Sequence, residues 1–373
     1  MTGKAYNPKL FNEEIEHHEK FNTLPKEAVE AYRQARHEGV AKSHFPETWT
    51  YEKLWEQHKA KHSGQVGHFI FEMFYDIHMG VEDELIVNSI DTQVRLYPVY
   101  VPRSNNILDY AVKASKAKMR AFVSQDHFFP TYGQAWCAQE KVDEMVQAGQ
   151  LEFATECLGA HMLAWSHHPD QVHLASKYPN LGTMLFYCQT YGGKNCGPTL
   201  DIMDASGKLD KEVKEIIRLC AQYKVPVMSG HAAMTYDRIL AMAQYANEVG
   251  ANLLWMHAAP WAAVPERATI KQYKELVRLG CYLQIDANKV LPSIIWPMID
   301  PNQGFEWLQE MGTDHIIPCT DGGQPFFGDA IDCWKMFIRA MIHFGIKKED
   351  IATMIQKNPA EFLYLPEKRK VNN

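Results

Sequence analysis

Several things are scarce in this 373-residue chain. The eight cysteines, at 137, 157, 188, 196, 220, 281, 319 and 333, form no Cys-x-x-Cys pair. That argues against a structural zinc knuckle and leaves reduced thiols in a cytoplasm-like compartment as the expectation. Long apolar runs are missing as well. The nearest, Leu253 to Val264, is broken by His257 and Pro260, and falls short of the roughly 18–20 residues that cross a bilayer. Met1 to Phe21 is polar, with no apolar stretch of a secretory signal. Positive charge is not in excess: 38 Lys and Arg stand against 45 Asp and Glu, a net −7. That disfavours a surface built for nucleic-acid phosphates. No Gly-x-Ser-x-Gly elbow is present, and the lone Gly192-Gly193 pair is too little for a phosphate loop.

What is present is an ordinary globular composition, 46% hydrophobic and 22% charged. Residues 1–83 carry charged, helix-friendly segments such as Lys26–Glu38 and Tyr51–Lys61, interrupted by Pro25 and Pro46. They predict a helical extension, and its aromatics (Phe69, Phe71, Phe74, Tyr75) predict a docking face and a homo-oligomer contact. From residue 84 a rhythm begins. Short apolar runs at 85–90, 121–124, 151–154, 183–187, 225–228, 252–256, 281–285 and 315–319 read as strands. Between them lie amphipathic segments such as Leu209–Tyr223, Tyr236–Val249, Ile270–Leu279 and Ile331–Phe344. Strand then helix, eight times, predicts an α/β fold, a (β/α)8 TIM barrel over residues 84–373.

In such a barrel the C-terminal ends of the strands share one rim. The residues after each run are Gln93 and Arg95, Gln125 to His127, Glu156, Gln189, His231, His257, Asp286 and Asp321. A ring of polar strand ends has no use in a core and marks a site. His231 and His257 on neighbouring strands, with Asp321 two strands on, suit one divalent metal, zinc first, with iron or manganese as alternatives. Taken singly, each histidine also fits a core position, and Asp321 also fits a turn. Arg95 suits a substrate carboxylate or a developing oxyanion. It equally suits a buried ion pair with Asp91, Asp126 or Glu156. His127 is a candidate acid or base. His161, His167, His168 and His173 read as solvated positions after strand 3. Phe128, Phe129, Tyr132, Trp255, Trp261 and Phe326 read mostly as packing, with some available to wall a pocket for a ring-shaped substrate.

Gly-His231, His257, Thr-Asp321-Gly and the closing segment around Asn358-Pro359-Ala360 together resemble the amidohydrolase superfamily of metal-dependent hydrolases. The likeness runs over roughly residues 84–365. The resemblance implies a His-x-His at the end of strand 1, yet Gln93 and Arg95 stand at those two positions. Glutamine is a poor ligand and arginine is none. The bridging lysine of binuclear members has no clear counterpart, Gln125 being the nearest polar residue. What the resemblance then implies is one metal on His231, His257 and Asp321, or no metal.

Three functions stay open. The first is a hydrolase of a cyclic amide, lactone or related C–N or C–O bond. It would use metal-activated water, with Asp321 as ligand or proton acceptor and Gln93, Arg95, Gln125 and Glu156 around a small, anionic or aromatic substrate. The second is a metal-free lactonase, decarboxylase or lyase in which Arg95 replaces the cation and His127, His231 or Asp321 moves the proton. The third is a non-catalytic ligand-binding barrel.

Overall fold

A computed structural model describes residues 81–366, apart from 98–102, 126–130, 164–168, 176, 178–179, 187–201, 230–234, 260–267, 292–298, 300 and 325–327. The expected helical extension lies outside the described residues except for its last three. His127, His231 and Asp126 also lie outside them.

Eight parallel strands run in the order of the sequence, each paired with the next. They are β1 (Ile90–Val94), β2 (Ala121–Ser124), β3 (Glu156–Leu163) and β4 (Leu181–Phe186), then β5 (Val227–Met228), β6 (Leu253–Trp255), β7 (Cys281–Asp286) and β8 (Ile316–Cys319). Helices separate them, as the expected barrel requires. The ring closes from β8 back to β1 through the bridge between Val94 and Gly322. Asp321 N donates to Gln93 O (2.9 Å) and Arg95 N donates to Gly322 O (2.8 Å) across the same seam. Gly323 makes this approach possible. Its φ is +91°, and a Cβ there would lie 1.9 Å from Arg95 O, so only glycine fits.

Period-two alternation sorts the strand residues into two layers. Outward residues such as Phe122, Met184, Val227, Trp255 and Leu283 pack under the helices. Inward residues such as Val123, Leu185, Met228, Leu254 and Ile317 fill the barrel, and Phe362 and Leu363 of the closing segment join them. Tyr282 meets Phe362 with ring centroids 5.4 Å apart. The helices follow from local signals. In Lys211–Tyr223, Asp210 accepts from Glu212 N at 2.7 Å and caps the helix, while Val213, Ile216, Ile217 and Cys220 form the buried stripe.

Two strands differ from the expectation. Strand 1 is not Leu85–Ile90: Val81–Leu85 is a short helix with Glu82, Asp83 and Glu84 in its first turn, where acids are favoured. β1 is the polar segment Ile90–Val94, buried throughout. Strand 3 is not Leu151–Ala154 but Glu156–Leu163, which carries a glutamate, a glycine and a histidine. His161 therefore lies within a strand, and Glu156 begins one instead of ending it. An apolar-run criterion misses β1, whose buried positions are polar, and in β3 the short buried run 157–160 lies between the half-buried Glu156 and His161.

Candidate active site

β1 carries one extra residue. Asp91 pairs with Phe122 and Val94 with Ser124, three steps against two. Such a bulge re-aims the side chains beyond it. Asp91 before it meets Tyr110 (3.3 Å) of the outer helix layer, while Gln93 within it and Arg95 beyond it meet Asp321. Gln93 Nε2 and Arg95 Nε both donate to Asp321 Oδ1 at 2.7 Å. The other oxygen, Oδ2, accepts from Lys289 Nζ (2.9 Å) and Asn288 Nδ2 (3.0 Å). Burial alone would raise this carboxyl; Lys289 and Arg95 outweigh it and hold Asp321 well below the usual carboxylate range.

A second pair stands beside it. His257 Nδ1 lies 2.7 Å from Asp286 Oδ1. Burial pushes His257 below its ordinary value, and it is neutral at pH 7. Asp286 is ionised: its two neighbours His257 and Lys289 overcome burial and lower it. A neutral imidazole facing a carboxylate donates from Nδ1, so the Nε2 carries the lone pair. Lys289 Nζ is 3.0 Å from His257 Nδ1 and 3.4 Å from Asp286 Oδ2. The two carboxylates raise Lys289 against the lowering effect of burial. Arg95, Lys289, Asp286 and Asp321 thus form two cations against two anions, with side chains at most 4% exposed.

The backbone is shaped to serve this cluster. His257 has φ 54° and Asp321 φ 42°, left-handed values that cost a non-glycine residue about 1–3 kcal/mol. His257 N donates to Gln284 Oε1 (3.2 Å), and Asn288 Nδ2 donates to Asp321 O (2.7 Å), so side chains hold both turns. The short helix Ala287–Val290 starts directly at the end of β7. Its spacing puts Lys289 one turn above Asp286.

Gln93, Arg95, His257 and Asp321 therefore come together at the C-terminal rim. Asp286 joins them there. Gln125 lies beside them, its Nε2 3.4 Å from Met256 Sδ. Glu156 does not join them: it pairs with Ala121 at the N-terminal start of the strands, with Arg120 Nε 3.9 Å away. Its expected place near a substrate is corrected by the true start of β3. Arg95 pairs with Asp321. Trp255 stacks near Tyr273 at 5.5 Å as outer packing, and Tyr132 sits 5.7 Å from His161. Lys289 and Asn288 were missed by a reading that stopped at the strand end. The signal was Asp286 followed three residues later by lysine.

His257, Asp286 and Asp321 each bring a donor atom within 4.8 Å of the others, a His/Asp/Asp set of the kind that can hold a metal. As they stand these residues do not fit one. Asp321 already receives four donors, and an ammonium touches all three groups. A dication about 3 Å from that ammonium would be repelled by on the order of 10 kcal/mol at an effective dielectric of 20.

An eight-stranded parallel barrel with its polar cluster at the C-terminal rim belongs to the (β/α)8 class, whose members place their sites there. Residues 88–284 match the model of a family described as "Family of unknown function (DUF6282)", and the chain belongs to that family. No curated protein matches it. Among solved structures it is similar to an amidohydrolase from Pseudomonas aeruginosa, at 11% identity and TM-score 0.51, over 76% of this chain and 97% of that one. It is also similar to dihydroorotase from Saccharomyces cerevisiae in complex with 5-fluoroorotic acid, at 9% identity and TM-score 0.50, over 76% and 85%. The likeness is one of fold, and the barrel is the one that the resemblance to amidohydrolases implied.

Proposed function

We propose that the chain is a hydrolase that opens a cyclic amide in a small anionic substrate, using its own side chains to supply acid, base and positive charge. The observation that carries this reading is the His257–Asp286 pair next to the cations on Asp321. Asp286 orients His257, and the Nε2 lone pair takes a proton from water. The hydroxyl so formed bonds to the amide carbon. Charge gathering on the carbonyl oxygen is met by the fixed positive field of Lys289 and Arg95. When the C–N bond breaks, His257 returns its proton to the leaving nitrogen, and the products are an amine and a carboxylate.

A second observation favours an amide over a lactone. The buried Oε1 of Gln93, Oε1 of Gln125 and Oδ1 of Asn288 have no hydrogen-bond partner among the described residues. Buried acceptors call for donors, and an amide brings an N–H where a lactone brings none. Zinc, iron or manganese enters this reading only as a result of metal analysis, because the described donors already hold cations.

The test is turnover of a panel of carboxylated cyclic amides and lactones by chelator-treated protein. Ring opening of at least one cyclic amide is expected, with His257→Gln lowering kcat by about 10²–10⁴-fold. A panel left intact, or a His257→Gln variant as active as the parent, overturns the assignment.

A further inference from the structure

The Lys289 ammonium sits where a bound cation would sit. It stands 2.9 Å from Asp321 Oδ2, 3.4 Å from Asp286 Oδ2 and 3.0 Å from His257 Nδ1. Those are the three residues that form the His/Asp/Asp donor set. The arm that carries it is fixed. Ala287–Val290 is one helical turn, Asn288 N donates to Thr320 O (3.1 Å), and the Lys289 carbonyl accepts from Ile299 N (2.8 Å). Lysine is a compact point charge on a flexible stem, so its ammonium reaches into the gap between the two carboxylates. Arg95 takes the opposite oxygen of Asp321.

We infer that Lys289 is a resident cation standing in the seat of a divalent metal, and that its charge keeps the His257, Asp286 and Asp321 cluster metal-free. Lys289 positions Asp286 and Asp321, and excludes zinc, iron and manganese from the donor set that they form with His257. The donor set beneath it is intact. Removing the ammonium therefore turns the cluster into a binding site for a borderline divalent ion, since imidazole and two carboxylates suit zinc and cobalt. This inference stands apart from the hydrolytic reading: it concerns which cation the cluster holds, whatever the substrate.

The test measures metal content and spectra of the full chain, purified without chelator and dialysed against excess zinc or cobalt. The parent is expected to hold no ion at the cluster. Lys289→Ala and the near-isosteric Lys289→Met are expected to gain about one equivalent, and their cobalt forms to show visible absorption from an ordered site. Lys289→Arg, which keeps the charge, is expected to gain none. Adding Asp286→Asn to Lys289→Met should abolish the gain, which separates this site from ions on surface histidines. A parent protein that carries about one equivalent, lost on Asp286→Asn, overturns the inference. So do folded Lys289→Ala and Lys289→Met proteins that take up no ion. Should both variants fail to fold, the parent's metal content decides, because the inference forbids an Asp286-dependent ion there.

Discussion

Asp321 has four donors on two oxygens, two of them cationic. An asparagine of the same shape could keep one pair. Its NH2 would then face either Lys289 and Asn288 or Gln93 and Arg95, donor against donor. It would also leave two buried cations against Asp286 alone. Breaking a buried ion pair from one side typically costs about 3–5 kcal/mol. Asp321→Asn should therefore lower the urea midpoint by an amount matching that range, measured by chemical unfolding at pH 7. An unchanged midpoint would mean that the cluster contributes nothing to the fold.

At the scale of elements, the seam between β8 and β1 has the shortest pairing of the ring. It has one bridge, Val94 with Gly322, where the other neighbours pair over two or more residues. Gly323→Ala would drive a methyl onto Arg95 O at a backbone angle suited only to glycine. The seam must then part, at a cost on the order of 3 kcal/mol, and Arg95 loses its register with Asp321. The prediction is joint: reduced stability by thermal melting, and faster hydrogen exchange at Arg95 N and Asp321 N than at the β6–β7 amides. Exchange raised evenly over the barrel would count against a local seam. The other end makes the converse case. Phe362 plugs the barrel interior, so Phe362→Ala should cost about 3–5 kcal/mol by cavity formation while the rim geometry survives.

How far these elements were legible in the sequence follows from the same layers. Helix Tyr236–Val249 has the bounds its periodicity predicts, and β5 to β8 lie within their apolar runs, or one residue beyond in β7. β1 was hidden because Asp91, Thr92 and Gln93 are polar yet buried, so a search for apolar residues passes it by. His257 and Asp321 could be read as residues following a strand. Lys289 could not, because it reaches the rim from a helical turn whose start depends on where β7 ends.

Over the whole molecule, pH sensitivity comes from buried groups, since exposed pairs such as Lys141 with Glu144 (3.0 Å) contribute little. Three buried contributions have different signs. His257 is held neutral by burial, below its ordinary 6.5. An unfolded chain takes up that proton first, so stability from this group is present above about 6.5 and declines as the pH falls. Asp91 is raised by burial to about 6 from 3.8, against the lowering effect of its bonds to Thr320, Gln93 and Tyr110. Here the native state takes up the proton first, and acidification from pH 6 to 3.8 adds stability. Asp286 and Asp321 are both lowered, so their stabilisation holds above 3.8 and fails below it. Between pH 6.5 and 4 the first two oppose each other, and the parent curve alone cannot separate them. His257→Gln does so, because glutamine does not titrate. Its stability deficit relative to the parent should shrink steadily as the pH drops from 7.5 to 4.5, read as the gap between urea midpoints. Two parallel curves would mean that His257 has the same proton affinity in the native and unfolded chains, and so is not the buried neutral base on which the proposed chemistry depends.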